Sequence, residues 1–594
     1  MTPWPALDAA PPRQFWLRIV LAWLAICVIL IVRNWPAIHA FQLADADDAL
    51  RLVQVRDLLA GQGWFDLHQY RIDPPEGVAT HWSRLVDIPL ALIILLLRPL
   101  FGQPSAELAA AVIVPLLTVL CAVLLTARLT LKLFGESAAY ASCFVWIMAL
   151  EALAQLQPMR IDHHGWQIVA VLAALNGMLA QDSRRGGWIV GSALALGMSI
   201  SLELLPFTAL FAAVLGLRWL RASSARGWLV HMLVALAVTG AASYGLTRGL
   251  VAESHCDTIS PDHLTGLALA AALVAGIAWL RAPPRNLLIV LLGSAALLVG
   301  GVYLALSPQC LAGPFATLDP LVRQVWYNNV LEGMPVWRQS GANIVQMMLP
   351  ALVGLVITVC SYWRAVGQRR ALLGDLALLL AGALTIACLV ARFSGVASAI
   401  AVVPLAYAIV AWLRRAPTMP LAARLLALPI IVLTLVPGIA AGPLLAKFGP
   451  RAVASSPAME PPLGSGCSMP GSLPAIAGLP PATIFAPFDI GATLLRDTHH
   501  SVVATNHHRA ASAMHDVIAA YLAAPDQAEL IVRRHGAHYV IACSDLIEAR
   551  NYRKYSPDGL MPQLLAGRIP AWLEPVALPA QAGNLQLFRV RPAP

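Results

Sequence analysis

Charge is scarce in this sequence. Of 594 residues only 12% are Asp, Glu, Lys or Arg, while 59% are hydrophobic. A soluble chain carries about a quarter charged residues, so the shortage excludes a soluble globular protein and leaves a polytopic α-helical membrane protein. The net charge of +9 calls for no nucleic-acid partner, because most basic residues fall in short loops between apolar runs, where the positive-inside rule expects them. A small-residue cleavage site is also missing. The first apolar run, about Phe15 to Val32, ends in Arg33-Asn34-Trp35 and reads as a span, not a removable signal. No internal repeat is visible, and the acids gather in loops instead of mid-span. Both absences count against a transporter or flippase.

What is present is a long series of apolar runs. About thirteen can cross a bilayer of roughly 30 Å: 14–33, 107–133, 138–157, 164–181, 187–203, 205–221, 228–247, 264–281, 286–306, 343–363, 372–391, 394–413 and 421–441. The run "IPLALIILLLRPLF" at 88–101 is short, follows Asp87 and contains two prolines, so it suits an interfacial or re-entrant piece. Leaving it out puts Lys or Arg in every loop on the N-terminal side and leaves the short outer loops almost free of them, with Arg248 and Arg392 among the exceptions. The expected topology has a cytoplasmic N-terminus and an extracytoplasmic C-terminus. Residues 1–441 form the membrane domain, with outer loops 34–106, 157–165 and 307–342. Residues 442–594 form an outer domain that opens with the Pro/Gly/Ser-rich stretch 455–482. Strand-like runs ("ATIFAP", "HSVVAT", "HYVIAC", "LQLFRV") and the helical "RAASAMHDVIAAYLAA" make that domain α/β. Of nine cysteines, Cys256, Cys310, Cys467 and Cys543 lie outside the spans on the oxidising face. Two disulfides fit, most simply 256–310 and 467–543.

Chemistry-bearing residues crowd the outer face. Asp45, Asp47 and Asp48 open an amphipathic helix directly after the first span, as N-cap and dipole complement or as a cation site. Asp162, His163 and His164 in "RIDHHGW" occupy a very short outer turn, either as solvated side chains or as ligands for a divalent cation such as Mn or Mg, with histidine favouring transition metals. Glu332 lies in an aromatic and amide-rich loop. Glu203, at an outer span end, is either functional or simply interfacial. Arg392 ends a long apolar run, where a guanidinium needs an anion, phosphate above all, or snorkels to headgroups. The four histidines of "RDTHHSVVATNHHR" face substrate or the surface.

Together these pieces resemble the catalytic subunit of oligosaccharyltransferase, nearest to the single-subunit archaeal and bacterial enzymes. The order of elements matches over the whole chain, and the residue-level signal lies in a few short motifs. An Asp nine residues before an Arg-Asp pair corresponds to Asp47 before Arg56-Asp57, and the family's D-x-H pair to Asp162 and His164. The Glu closing its fifth outer loop corresponds to Glu332, without the preceding Thr or Ser. Its phosphate-binding arginine corresponds to Arg392. The W-W-D-Y-G signature reads "PFDIG", keeping Asp489 and Gly491 but neither tryptophan nor the tyrosine.

The resemblance implies a GT-C fold with thirteen spans and a C-terminal outer domain. It implies metal ligands Asp47, Asp162 and His164, catalytic Asp47 and Glu332, and Arg392 on the donor phosphate. Asp48, His163, Asp489 and Gly491 are left as acceptor- or substrate-facing candidates. The expected activity is metal-dependent inverting transfer of a sugar or oligosaccharide from a polyprenyl-(pyro)phosphate donor to a protein, lipid or glycan acceptor. The expected setting is the outer side of a bacterial or archaeal cytoplasmic membrane. A non-catalytic envelope assembly protein on the same scaffold is the other alternative.

Overall fold

The structure is a computed structural model that describes residues 13–249, 253–280, 283–313, 315, 318–438, 467 and 469–593. The chain clusters into two compact units. The first comprises 1–42, 83–314 and 331–454, and the second 43–82, 315–330 and 455–594. The middle parts of the outer loops 34–106 and 307–342 therefore group with the C-terminal domain, whereas the sequence reading counted them with the membrane domain.

The first unit is helical. Among the described residues nine stretches are long and apolar enough to cross a membrane: Arg13–Arg33, Gln103–Phe134, Leu202–Arg221, Ser223–Arg248, Pro261–Ala278, Arg285–Leu306, Gly341–Arg364, Gly367–Leu389 and Ala391–Thr418. The other four expected spans are helical too but shorter or more polar, at Glu136–Met148, His164–Gly177, Ser183–Ile200 and Leu421–Leu435. The end of the expected 421–441 span lies outside the described residues. The piece at 88–101 is part of an 18-residue helix, Arg84–Phe101, which carries Arg84, Asp87 and Arg98. Leucines such as Leu297 and Leu425 stand exposed on their helices, costly in water but neutral against lipid tails.

The Ser394–Arg415 helix is the axis of the first unit. Every residue from Ser394 to Ala406 is buried, and it packs against the Gly341–Arg364, Glu136–Met148, Gln103–Phe134 and Gly367–Leu389 helices. Small residues permit such approach. A Cβ on Gly191 would stand 2.2 Å from the Met232 carbonyl oxygen, so the Ser183–Ile200 helix lies against its Arg226–Arg248 neighbour nearly backbone to backbone. The Cys256–Cys310 disulfide closes the loop between Arg226–Arg248 and Pro261–Ala278 onto the end of Arg285–Leu306.

The second unit is α/β. Its five-stranded sheet has the order β4 (Ser501–Val502), β3 (Thr483–Phe485), β5 (Tyr539–Cys543), β7 (Leu585–Val590), β6 (Leu573–Val576). The first three strands are parallel and the last two antiparallel. Residues 71–73 extend it beyond β4, with the Val502 N–H on the Arg71 carbonyl and the Asp73 N–H on the Val502 carbonyl, both at 2.9 Å. β5 is buried along its whole length, which suits its unbroken apolar run "YVIAC". The Cys467–Cys543 disulfide forms, and Met469–Ala477, inside the stretch read as a linker, is a helix with Ile476 fully buried. Most of the remainder of that stretch lies outside the described residues.

Candidate active site

The first unit brings together, at one end of its axial helix, side chains that the sequence scatters over 230 positions, from Asp162 to Arg392. His164 opens the His164–Gly177 helix, and its N–H donates to Asp162 Oδ1 at 3.0 Å. The Arg160 Nε stands 3.1 Å from Asp162 Oδ2. Just before them Met159, fully buried, holds a left-handed φ of 74° and donates its N–H to the Ala111 carbonyl. Such a conformation costs about 1–3 kcal/mol and persists only where surrounding packing imposes it. The turn is therefore held in shape, not a floppy connection.

Burial alone would raise the Asp162 carboxyl. The Arg160 guanidinium, then His164 and His163, outweigh it and hold the group well below the usual carboxylate range. Asp162 stays ionised.

Glu203 is the hub. Its Oε2 accepts from Gln167 Nε2 at 3.0 Å and stands 3.9 Å from both His163 Nε2 and His164 Nδ1. Its Oε1 accepts from Arg392 NH1 at 2.8 Å. The other Arg392 nitrogen, NH2, lies 3.4 Å from Glu332 Oε1. The Ala391 N–H donates to the Met334 carbonyl at 3.0 Å, which ties the short 391–393 turn to the loop carrying Glu332. Phe393 packs edge-on against Phe207, and the Ser394 hydroxyl donates to Glu151 at 2.9 Å. Arg392 is thus aimed by its neighbours on both sides, and its partners here are two carboxylates. The sequence reading singled out Asp162, His163, His164, Glu332 and Arg392 in separate loops and left Glu203 undecided. An acid at a span end was the one signal that pointed to it.

His163, His164 and Glu203 each offer a ligand atom within 4.8 Å of the others. Mixed carboxylate and imidazole donors this close together suit a divalent metal.

In the second unit Asp45 caps the Ala46–Leu59 helix, and Asp45 and Asp48 form a reciprocal capping box, each side chain accepting the other's backbone N–H at 3.1 Å. The helix-start reading of the acidic cluster holds for these two. Asp47 is half-buried and not part of that box. The helix is anchored by Arg56 on the Arg496 carbonyl and packs against Phe488–Asp497. Arg71 closes the C-terminus of Phe488–Asp497 by donating to the carbonyls of Leu495, Thr498 and His500.

Gly491 and Asp489 lie in the first turns of the Phe488–Asp497 helix, where the backbone is closely approached. A Cβ on Gly491 would stand 2.2 Å from the Ala504 carbonyl oxygen. The first N–H groups of the Phe488–Asp497 helix, those of Phe488 and Asp489, donate to the buried Glu548 carboxylate at 3.3 and 3.2 Å, and Tyr552 donates its hydroxyl to the same group. Burial pushes Asp489 up to about 6, and burial together with Asp489 pushes Glu548 well above the usual range. In open α/β sheets the crevice beyond the strand ends, beside a helix N-terminus, is where phosphates bind. Here Glu548 fills it.

No protein-family model matches the sequence. No curated protein matches it. Solved structures do. The archaeal oligosaccharyltransferase AglB from Archaeoglobus fulgidus, in complex with an inhibitory peptide and a dolichol-phosphate, superposes with a TM-score of 0.67 over 95% of this chain and 72% of that one, at 12% identity. The chain shares its fold. The same organism's enzyme tethered to an acceptor peptide containing the NVT sequon gives 0.66, at 13% identity over 92% of this chain and 72% of that one. Its complex with Zn and sulfate gives 0.61, at 15% identity over 92% and 70%. The architecture of this chain is therefore the GT-C membrane fold with a C-terminal domain. At such identities the likeness is one of fold, and what the residues do is argued from their own arrangement.

Proposed function

We propose that this chain is an inverting glycosyltransferase that moves a sugar or oligosaccharide from a polyprenyl-(pyro)phosphate donor to a protein, lipid or glycan acceptor. In this reading it acts on the outer side of a bacterial or archaeal cytoplasmic membrane, with its N-terminus inside and the second unit outside. The observation that carries it is the Arg392 fork, held between Glu203 and Glu332 beside the Asp162-His163-His164 turn. A planar guanidinium paired to carboxylates is also the group best matched to a phosphate. The shared fold supports the reading, because a relative with that fold was solved with dolichol-phosphate.

The donor phosphate replaces Glu332 on Arg392, since that contact is the longer of the two and Glu332 is the more exposed acid. Glu203 keeps the guanidinium aimed. The released Glu332 then faces the acceptor. Asp47 is the carboxylate assigned to orient the acceptor and take its proton, so that the nucleophile attacks the anomeric carbon in one displacement and inverts it. Asp162, His164, His163 and Glu203 supply the donors for a divalent metal, Mn or Mg or another transition ion, with Asp47 proposed as a further ligand. Bound, such an ion supplies Lewis-acid stabilisation of the leaving phosphate.

The test is a strain lacking this chain, complemented with wild type, Arg392→Met or Asp47→Asn, its envelope glycans, glycolipids and glycoproteins read by mass spectrometry. One glycan class should lose a sugar and regain it only with wild type. Unchanged glycans in all three classes would overturn the reading.

A further inference from the structure

Three histidines that the sugar-transfer reading does not use meet inside the second unit. His81 follows β2 (Val78–Ala79), which pairs with β1 (His68–Gln69). It is held between Thr80, whose hydroxyl bonds Gln54 and the Leu67 carbonyl, and the buried Trp82. His507 and His508 come from the turn ahead of the Ala511–Leu522 helix. That turn is closed by the Ala510 N–H on the His507 carbonyl at 2.8 Å and by the His507 N–H on the Thr505 hydroxyl at 3.4 Å. The ring centroids lie 4.8 Å apart for His81 and His508, 5.1 Å for His81 and His507, and 5.0 Å for the adjacent pair. One ring nitrogen of each falls within 4.8 Å of one ring nitrogen of the other two.

Apolar faces enclose them. Trp82 stands edge-on to His507, with the Arg51 guanidinium over its own ring, and Phe315 stands edge-on to His508. His507 is buried and the other two are half-buried.

We propose that His81, His507 and His508 form a metal site for a borderline transition ion, Zn2+ or Co2+. The donors are all imidazole nitrogens, which select such ions over Mg2+ or Ca2+. On a tetrahedral ion such nitrogens stand about 3.4 Å apart, so closure shortens each pair by at most about 1.4 Å. The ion joins the 43–82 stretch to the C-terminal part of the unit, while Phe315 of the third stretch packs on one of its ligands. Three imidazoles leave the fourth tetrahedral position to water, while the bound ion ties the 43–82 stretch to the C-terminal part of the unit. This site is independent of the sugar-transfer reading and uses none of its residues.

The experiment uses the full-length purified protein in detergent, stripped with a chelator and titrated with Co2+ followed by Zn2+, with visible absorption and thermal unfolding as readouts. Wild type and the double variant Asp162→Asn/His164→Ala should both develop the intense band of nitrogen-ligated Co2+. Zn2+ should abolish that band and raise the melting temperature. His508→Ala, at a half-exposed position that tolerates truncation, should bind Co2+ on the order of 10–100-fold more weakly, and His81→Ala likewise. Circular dichroism confirms that each variant is folded. Three results would overturn the proposal: no cobalt band in wild type, an unchanged band and affinity in both His508→Ala and His81→Ala, or a band lost only in the Asp162/His164 variant.

Discussion

Arg392 and Glu203, 189 positions apart, form a 2.8 Å hydrogen-bonded ion pair at the buried end of the axial helix. Glu203 also lies within 3.9 Å of both histidines of the Asp162 turn, so one carboxylate joins the proposed phosphate-binding and metal-binding parts of the site. Glu203→Gln keeps the shape and removes the charge. Arg392 then loses its best partner and its aim, so donor binding should weaken on the order of tenfold or more. Turnover at saturating donor should fall less than with Arg392→Met. Donor-concentration series for the two variants separate these outcomes, and equal loss in both would make Glu203 part of the chemistry.

Gly491 belongs to the packing of the Phe488–Asp497 helix on the 503–505 backbone. Gly491→Ala places a methyl 2.2 Å from the Ala504 carbonyl oxygen, and such overpacking costs about 1–3 kcal/mol. The variant should unfold several degrees earlier in a thermal melt, whatever the acceptor. An acceptor-binding role would instead leave the melting temperature unchanged and raise only the acceptor KM.

Asp489 gives the second unit a pH dependence. Its carboxyl is raised from the ordinary value to about 6 by burial, so the folded form holds its proton more tightly than the unfolded chain. Stability contributed by the protonated group is fully present below the unfolded value of 3.8 and is lost as pH rises through about 6. Asp489→Asn removes this loss. Its melting temperature should match wild type near pH 4 and exceed it at pH 7.5. A parallel offset at every pH would contradict the assignment.

The Cys467–Cys543 bridge spans 76 residues. Closing a loop of that length restricts the unfolded chain by about 4 kcal/mol in the entropic account. The Cys467→Ser/Cys543→Ser variant should therefore show a large drop in the melting transition of the second unit, and reductant should lower wild type to the same point.

The helices were legible because span length and loop charge are imposed by the bilayer. The run at 88–101, read as a short interfacial or re-entrant piece, belongs to an 18-residue helix that also carries Arg84, Asp87 and Arg98. The two disulfides were legible from which cysteines lie outside the apolar runs. Other features depend on contacts between distant positions, which periodicity does not record. Glu203 looked like any interfacial acid until Arg392 was placed beside it. The Asp48 carboxylate accepts the Asp45 N–H of its own helix start. Gly491 stands against the Ala504 carbonyl, a close approach that the motif alone does not record. Of the four C-terminal histidines, His500 and His507 are buried, not surface residues, and His500 Nε2 donates to the Ile476 carbonyl. His81 carried no signal until the fold set it against His507 and His508.

The most direct test of the central claim follows a radiolabelled sugar on a polyprenyl-phosphate carrier in liposomes that contain the purified chain. Wild type should release the carrier phosphate and pass the label to an acceptor, and Arg392→Met, folded by circular dichroism, should do so at least about 100-fold more slowly. Translocation of intact donor without release of the sugar, or an undiminished rate in Arg392→Met, would contradict it.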